Sequence, residues 1–379
     1  MATIRFCCCP GWVANLSILL LPTLFEIVTM PSLPTIELGR SGLIVPNICL
    51  GTMTFGEQNS ELEAHSQLDY AIERGVNFID TAEMYPVMPR AETQGSTERY
   101  IGSWLKKSGQ RSKVVLATKV AGPSRGFGWI RNGENDLTPA NIRAAVETSL
   151  ARLQTDYIDL YQLHWPSRNA PIFGQKSFNP ALERPCAAIE DTLAVLDELV
   201  KAGKVRAVGV SNETAWGVAE FVKLAEKEGR VRIATIQNAY NLVNRSFEQG
   251  LDEVCFREQV SLLAYSPLAF GQLSAKYVDD AKAPGRLTLF PATWSPRYMR
   301  PAVFEASRRY AELARAHGLT PAQLALAWCY SRWFVASTII GATNLKQLQE
   351  NIDAAQVTLS QEVVAGIEAI HATMNNPGQ

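Results

Sequence analysis

Eight short apolar runs, with a helical pattern between each and the next, constrain this chain more than any other feature. They are NICLG (47–51), NFID (77–80), VVLATK (114–119), IDLYQLH (158–164), VRAVGVS (205–211), ATIQN (234–238), SLLAYS (261–266) and ASTIIG (336–341). Each is almost continuously apolar, as parallel strands covered on both faces are, whereas a half-solvated strand would alternate. Between them, TPANIRAAVETSLARLQ is the clearest helix. Thr138 is placed to cap it, Pro139 fits its first position, and Ile142, Val146, Leu150 and Leu153 share one face. The Thr-Pro opening recurs at Thr320 and Pro321.

Unbroken β-α alternation predicts an α/β fold, a closed (β/α)8 TIM barrel. TIELGRSGLIV, from Thr35, predicts a short β-hairpin ahead of it. A doubly wound open sheet is the rival, but it would carry G-x-G-x-x-G directly after a strand. GPSRGFGWIRNG has neither that spacing nor a following helix.

Length and charge agree with one large domain. The chain has 379 residues, and 36 Lys and Arg against 37 Asp and Glu give no field suited to nucleic acid or an anionic membrane. Seven cysteines lack a disulfide spacing and form no C-x-x-C, which points to a reducing cytoplasm. Residues 1–29 stand apart. Arg5 precedes WVANLSILLLPTLF, but Glu26 intrudes, no small-residue cleavage site follows, and Met30 opens the patterned region. The segment is shorter than the roughly 20 residues of a membrane span. It reads as a leader or overextended start, with a single barrel domain over residues 30–379.

A barrel of this kind concentrates its chemistry at the C-terminal strand ends. Those ends read Gly51-Thr52, Asp80, Lys119, His164, Ser211-Asn212, Gln237-Asn238, Tyr265-Ser266 and Gly341, polar residues on apolar strands. Tyr85 follows Asp80 on the next loop. Taken singly, each has a plain structural role: a loop aromatic, a solvated lysine, a turn-capping Asp, a packed histidine. Taken together they suggest acid chemistry on a carbonyl or related oxygen. Tyr85 is the candidate acid, Lys119 the cation that lowers its pKa, and Asp80 the carboxylate that steadies Lys119. His164 is the donor that orients the oxygen. A nucleophilic Schiff-base Lys119 is the competing reading, though it leaves Tyr85 unexplained. With one imidazole at a strand end, a His-rich zinc site is not expected.

Ser211, Asn212 and Gln237 suit a carboxamide, and Tyr265 offers a flat face to an aromatic ring. Thr343 and Asn344 stand at an expected helix start, which attracts phosphate, and Gln347, Glu350 and Asn351 follow at helical spacing. Gly51, Thr52, Ser266 and Gly341 complete this candidate cofactor rim.

Several motifs, in one order, resemble the aldo-keto reductase superfamily. They are NFIDTAEMY, LATK, SLARLQTDYIDLYQLHWP, GKVRAVGVSN, IQNAYN, LLAYSPLAFGQLSAKY and IIGATNLKQLQEN. GTMTFGEQNS, AEMYPV and ETQG look most like its bacterial Tas-type branch. The resemblance implies an NADPH-dependent reductase of aldehydes or ketones, with Asp80, Tyr85, Lys119 and His164 as its catalytic tetrad. Ser211, Asn212 and Gln237 would hold the carboxamide and Tyr265 the nicotinamide ring. Lys276 and Arg286 would contact phosphates, and Thr343, Gln347, Glu350 and Asn351 the adenosine end. Ala342 departs from members that carry a lysine there, so NADPH preference rests on Lys276, Arg286 and Thr343. Channel-associated relatives imply an alternative, a cofactor-binding regulatory subunit. Loops near 120–137, 165–190 and 267–300 would choose the substrate, with Trp129, Trp165, Phe173 and Phe270 as candidate pocket walls.

Overall fold

The computed structural model describes residues 32–123, 125–290, 294 and 296–379. The apolar stretch of the expected leader lies outside them. The described residues form ten strands: β1 (Thr35–Glu37), β2 (Ile44–Pro46), β3 (Ile48–Gly51), β4 (Phe78–Asp80), β5 (Val115–Val120), β6 (Ile158–Leu163), β7 (Val205–Ser211), β8 (Ile233–Ala239), β9 (Ser261–Tyr265) and β10 (Val335–Ile340). β3 to β10 form one closed parallel barrel in chain order, with β10 pairing back onto β3. That closure rules out the open sheet and bears out the (β/α)8 expectation.

The hairpin is also as expected, with β1 antiparallel to β2 and Ile36 opposite Val45. Its turn is tight because Gly39 adopts φ +56°, and a Cβ there would stand 2.7 Å from the Ala234 carbonyl oxygen. Leu38, Leu43 and Val45 thereby plug the lower end of the barrel. They pack on an inward layer of Cys49, Phe78, Ala117, Leu160, Ala207, Ala234, Leu263 and Ala336.

Outside the barrel, the helix Pro139–Leu153 shows how sequence sets the packing. Thr138 Oγ1 accepts from the Asn141 N–H at 3.3 Å, and Ile142, Val146, Leu150 and Leu153 are buried. Each such side chain contributes about 1.5–3 kcal/mol by leaving water. The helix Pro321–Tyr330 repeats the cap, with Thr320 and Gln323 capping each other reciprocally.

Alternation then positions the site. Strand side chains two residues apart share a face, so the residues above the apolar layer are Asp80 over Phe78, Lys119 over Ala117, Gln162 over Leu160 and Tyr265 over Leu263. The inward face thus turns polar toward the C-terminal end of the strands. Gly209 leaves room for this polar layer: a Cβ there would meet Thr235 Oγ1 at 2.1 Å and Gln162 Cγ at 3.4 Å. Among the described residues, no helix is long and apolar enough to cross a membrane. The described cysteines are free, with Cys49, Cys255 and Cys329 buried and Cys186 exposed.

Candidate active site

The polar layer centres on an ion pair. Lys119, with no exposed surface, donates from Nζ to Asp80 Oδ2 at 2.6 Å and to the Thr81 carbonyl at 2.8 Å. Asp80 Oδ1 accepts from Gln162 Nε2 at 3.1 Å and Gln237 Nε2 at 2.9 Å. Burial works against the lysine's charge, but Asp80 and then Tyr85 outweigh it, and its pKa ends above the usual lysine range. A lysine held this firmly as ammonium is a poor amine nucleophile, which disfavours the Schiff-base reading.

Tyr85 lies beside this pair, its ring centroid 5.1 Å from Lys119 Nζ and 5.7 Å from the His164 ring. Its loop is fastened by Glu83, which accepts from the Ala121 N–H at 2.6 Å and from Arg131 Nη1 at 2.7 Å. The Gly95 N–H closes the other side on the Tyr85 carbonyl at 2.8 Å. The four residues expected to converge therefore surround one mouth. One electrostatic expectation is corrected: Tyr85 is not lowered overall. Burial raises the phenol, Lys119 pulls it down, Asp80 pushes it up again, and the balance lies above the ordinary tyrosine value. His164 is driven well below the usual histidine range by burial, with the charges of Lys119 and Arg125 adding to it. Both influences favour the neutral imidazole, and its buried Nδ1 has no partner among the described residues.

The amide group forms a second cluster on β7, β8 and β9. Asn212 Nδ2 donates to the His164 carbonyl at 2.9 Å and to Ser211 Oγ at 3.1 Å, while its Oδ1 accepts from the Tyr265 hydroxyl at 2.6 Å. Ser211 Oγ donates to the Gln237 carbonyl at 2.7 Å. Gln237 differs from a free carboxamide binder, because its Nε2 is held by Asp80 and by Gln162 Oε1 at 3.0 Å. Tyr265 is half-buried, with the guanidinium of Arg297 5.9 Å from its ring centre.

The third cluster surrounds the end of β10. Arg286 Nη2 lies 3.5 Å from where a Cβ on Gly341 would stand, and its Cζ is 5.2 Å from the Phe270 ring centre. Lys276 is close enough for Arg286 to depress its pKa, after burial, and its Nζ donates to the Pro284 carbonyl at 3.2 Å. Neither cation has a carboxylate partner among the described residues. The helix Leu345–Asp353 opens here as expected, with Asn344 Oδ1 accepting from the Gln347 N–H at 3.0 Å. Gln347 Oε1 accepts from the Thr343 N–H at 2.9 Å, and Asn351 Nδ2 donates to the Gly341 carbonyl at 3.2 Å. Glu350 is engaged by the Thr320 hydroxyl at 2.8 Å. Gly51 pairs in register with Asp80, and Thr52 Oγ1 donates to the Asp80 carbonyl at 2.8 Å. Ser266 accepts on its carbonyl from Asn241 Nδ2 at 2.9 Å. Two cations without a carboxylate partner among the described residues, one of them, Arg286, beside Gly341 ahead of a helix start, make a donor set for a polyanion.

The sequence reading passed over Gln162, Arg125 and the Glu83–Arg131 pair. Gln162 had a visible signal, an amide inside an otherwise apolar strand. Of the candidate walls, Trp165 packs on His164 at 4.9 Å and on Phe173 at 6.0 Å between ring centres. Trp129 lies on Phe127, and Phe270 sits beneath Arg286. Among the described residues no cluster of His, Cys, Asp or Glu could hold a metal ion.

Residues 47–372 match the Aldo/keto reductase family. The chain is 51% identical over 339 residues to "Protein tas" of Escherichia coli (strain K12), spanning 89% of this chain and 97% of that protein. It is 31% identical to the NADH-specific methylglyoxal reductase of the same organism, over 86% of this chain and 94% of the relative. To the norsolorinic acid reductase stcV of Emericella nidulans it is 30% identical, over 86% and 79% respectively.

Proposed function

The chain belongs to the aldo/keto reductase family, and from that premise we propose that it reduces aldehydes or ketones to alcohols with NADPH, Tyr85 acting as general acid. The observation carrying this reading is the convergence of Tyr85, Lys119 and His164 on one mouth, with an ammonium 5.1 Å from the phenol ring. Members of the family use nicotinamide cofactors, and this chain's residues fit one. Lys276 and Arg286 have no carboxylate partner among the described residues and would hold its phosphates, while Tyr265 would present a half-buried ring to the nicotinamide. Ser211, Asn212 and the free Oε1 of Gln237 would hold the carboxamide.

When bound, the reduced nicotinamide supplies a hydride to the carbonyl carbon. The protein's task is the oxygen. The raised phenol keeps Tyr85 loaded with its proton at neutral pH, and that proton passes to the carbonyl oxygen as charge develops there. Lys119 then stabilises the phenolate left behind, and Asp80 keeps Lys119 charged. Neutral His164 gives a hydrogen bond that orients the oxygen without adding a proton of its own. One relative is by name NADH-specific; for this chain the preference for NADPH rests on Lys276, Arg286 and Thr343.

The test is turnover of nitrobenzaldehyde by the purified full chain with NADPH and with NADH. Wild type should favour NADPH. Tyr85→Phe should lose kcat by about 10²–10⁴-fold, the usual contribution of a positioned acid, yet still bind NADPH in a fluorescence titration. Turnover at the wild-type rate would refute the assignment.

A further inference from the structure

Guanidiniums in this molecule are commonly neutralised: Arg74 pairs with Asp353, Arg131 with Glu83, Arg152 with Glu98 and Arg168 with Glu213. Arg125 breaks that habit at a telling place. It sits on the loop after β5, its Cζ 4.4 Å from the Phe173 ring centre and 5.7 Å from that of Trp294. Among the described residues no carboxylate faces it. Burial depresses its pKa most, the Tyr265 phenol works the other way, Arg297 lowers it further, and the charge of Arg125 in turn adds to the lowering of His164. One side stays open to solvent. The apolar wall beneath it runs from Phe173 to Trp165 to His164 through successive ring contacts.

A cation held between two aromatic rings keeps its fork in a fixed plane, suited to bidentate pairing with a carboxylate. A neutral substrate would leave that fork unused, and an acidic side chain placed there would have been the simple way to quench it. We propose that the carbonyl substrate carries a carboxylate that pairs with Arg125 while its carbonyl oxygen meets Tyr85 and His164. This rests on the reductase reading above and names the class of compound it acts on, a small aldehyde or keto acid whose apolar portion lies along Trp165 and Phe173.

The test compares 4-carboxybenzaldehyde with its methyl ester in wild type, Arg125→Gln and Arg125→Lys. Wild type should prefer the acid in kcat/KM, and the acid-to-ester ratio should fall about ten- to a hundredfold in Arg125→Gln through KM, the range of a lost charge-assisted pair. Arg125→Lys, which keeps the charge but not the fork, should fall in between. Benzoate should alter tryptophan fluorescence, through Trp294, in wild type and not in Arg125→Gln. A wild-type preference for the ester, or an unchanged ratio in Arg125→Gln, overturns the proposal while leaving the reductase reading intact. Reduction of neither aldehyde with either nicotinamide overturns both.

Discussion

Removing either half of the Asp80–Lys119 pair tests whether the polar layer is built around it. The two groups meet at 2.6 Å, Lys119 without exposed surface and Asp80 nearly so. Taking away one partner strands a charge in a dry interior, which costs about 3–5 kcal/mol. Against a whole-domain stability of roughly 5–15 kcal/mol, that is a large fraction. The two single losses should not be equal. Lys119→Met leaves Asp80 with the amide donors of Gln162 and Gln237. Asp80→Asn leaves the ammonium with the Thr81 carbonyl and puts an amide among amide donors. Asp80→Asn should therefore be the costlier change. In the double variant neither charge remains, so its loss should undercut the sum of the singles by about 2–3 kcal/mol. Urea unfolding near neutral pH, followed by tryptophan fluorescence and circular dichroism, measures all three. Additive losses, agreeing within about 0.5 kcal/mol, would show that the pair is not coupled as its geometry requires.

Two further outcomes follow from the electrostatics. His164 is held below its ordinary pKa, so as pH falls through about 6.5 the unfolded chain takes up a proton that the folded chain refuses. Stability should then drop by up to roughly 1.4 kcal/mol per pH unit until the folded pKa is reached, a component absent from His164→Gln in parallel melts; identical slopes in the two proteins would show the imidazole is not held neutral. Arg286→Met removes a half-buried cation with no carboxylate partner among the described residues. NADPH should bind about tenfold more weakly, with a shallower dependence on salt, as read by fluorescence titration at two ionic strengths; an unchanged Kd would put the phosphates elsewhere.

The barrel was legible because each strand is covered on both sides, which writes it as a continuous apolar run with a polar terminus. The convergence of Asp80, Lys119 and His164 followed from that alone, since closure brings neighbouring strand ends to one rim. What escaped was long-range or energetic. Glu83 and Arg131 lie on different loops, and no periodicity connects them. Arg125 is one arginine among many until it is seen that no carboxylate faces it among the described residues. The direction of the Tyr85 shift was missed because a sequence displays the nearby ammonium but not the desolvation that outweighs it. Gln237 read as a spare amide because the reach of Gln162 and Asp80 across the barrel interior depends on register.

Glu83 has a consequence for how this scaffold can change. By gripping the Ala121 amide and Arg131, it anchors the turn bearing Tyr85 to the neighbouring strand end rather than to whatever molecule arrives. The phenol proposed as the acid is thus positioned by the protein's own contacts. Changes in the stretches near 165–190 and 267–300 can therefore reshape the cavity without unfastening the turn that carries Tyr85, so substrate choice could shift while that turn keeps its place.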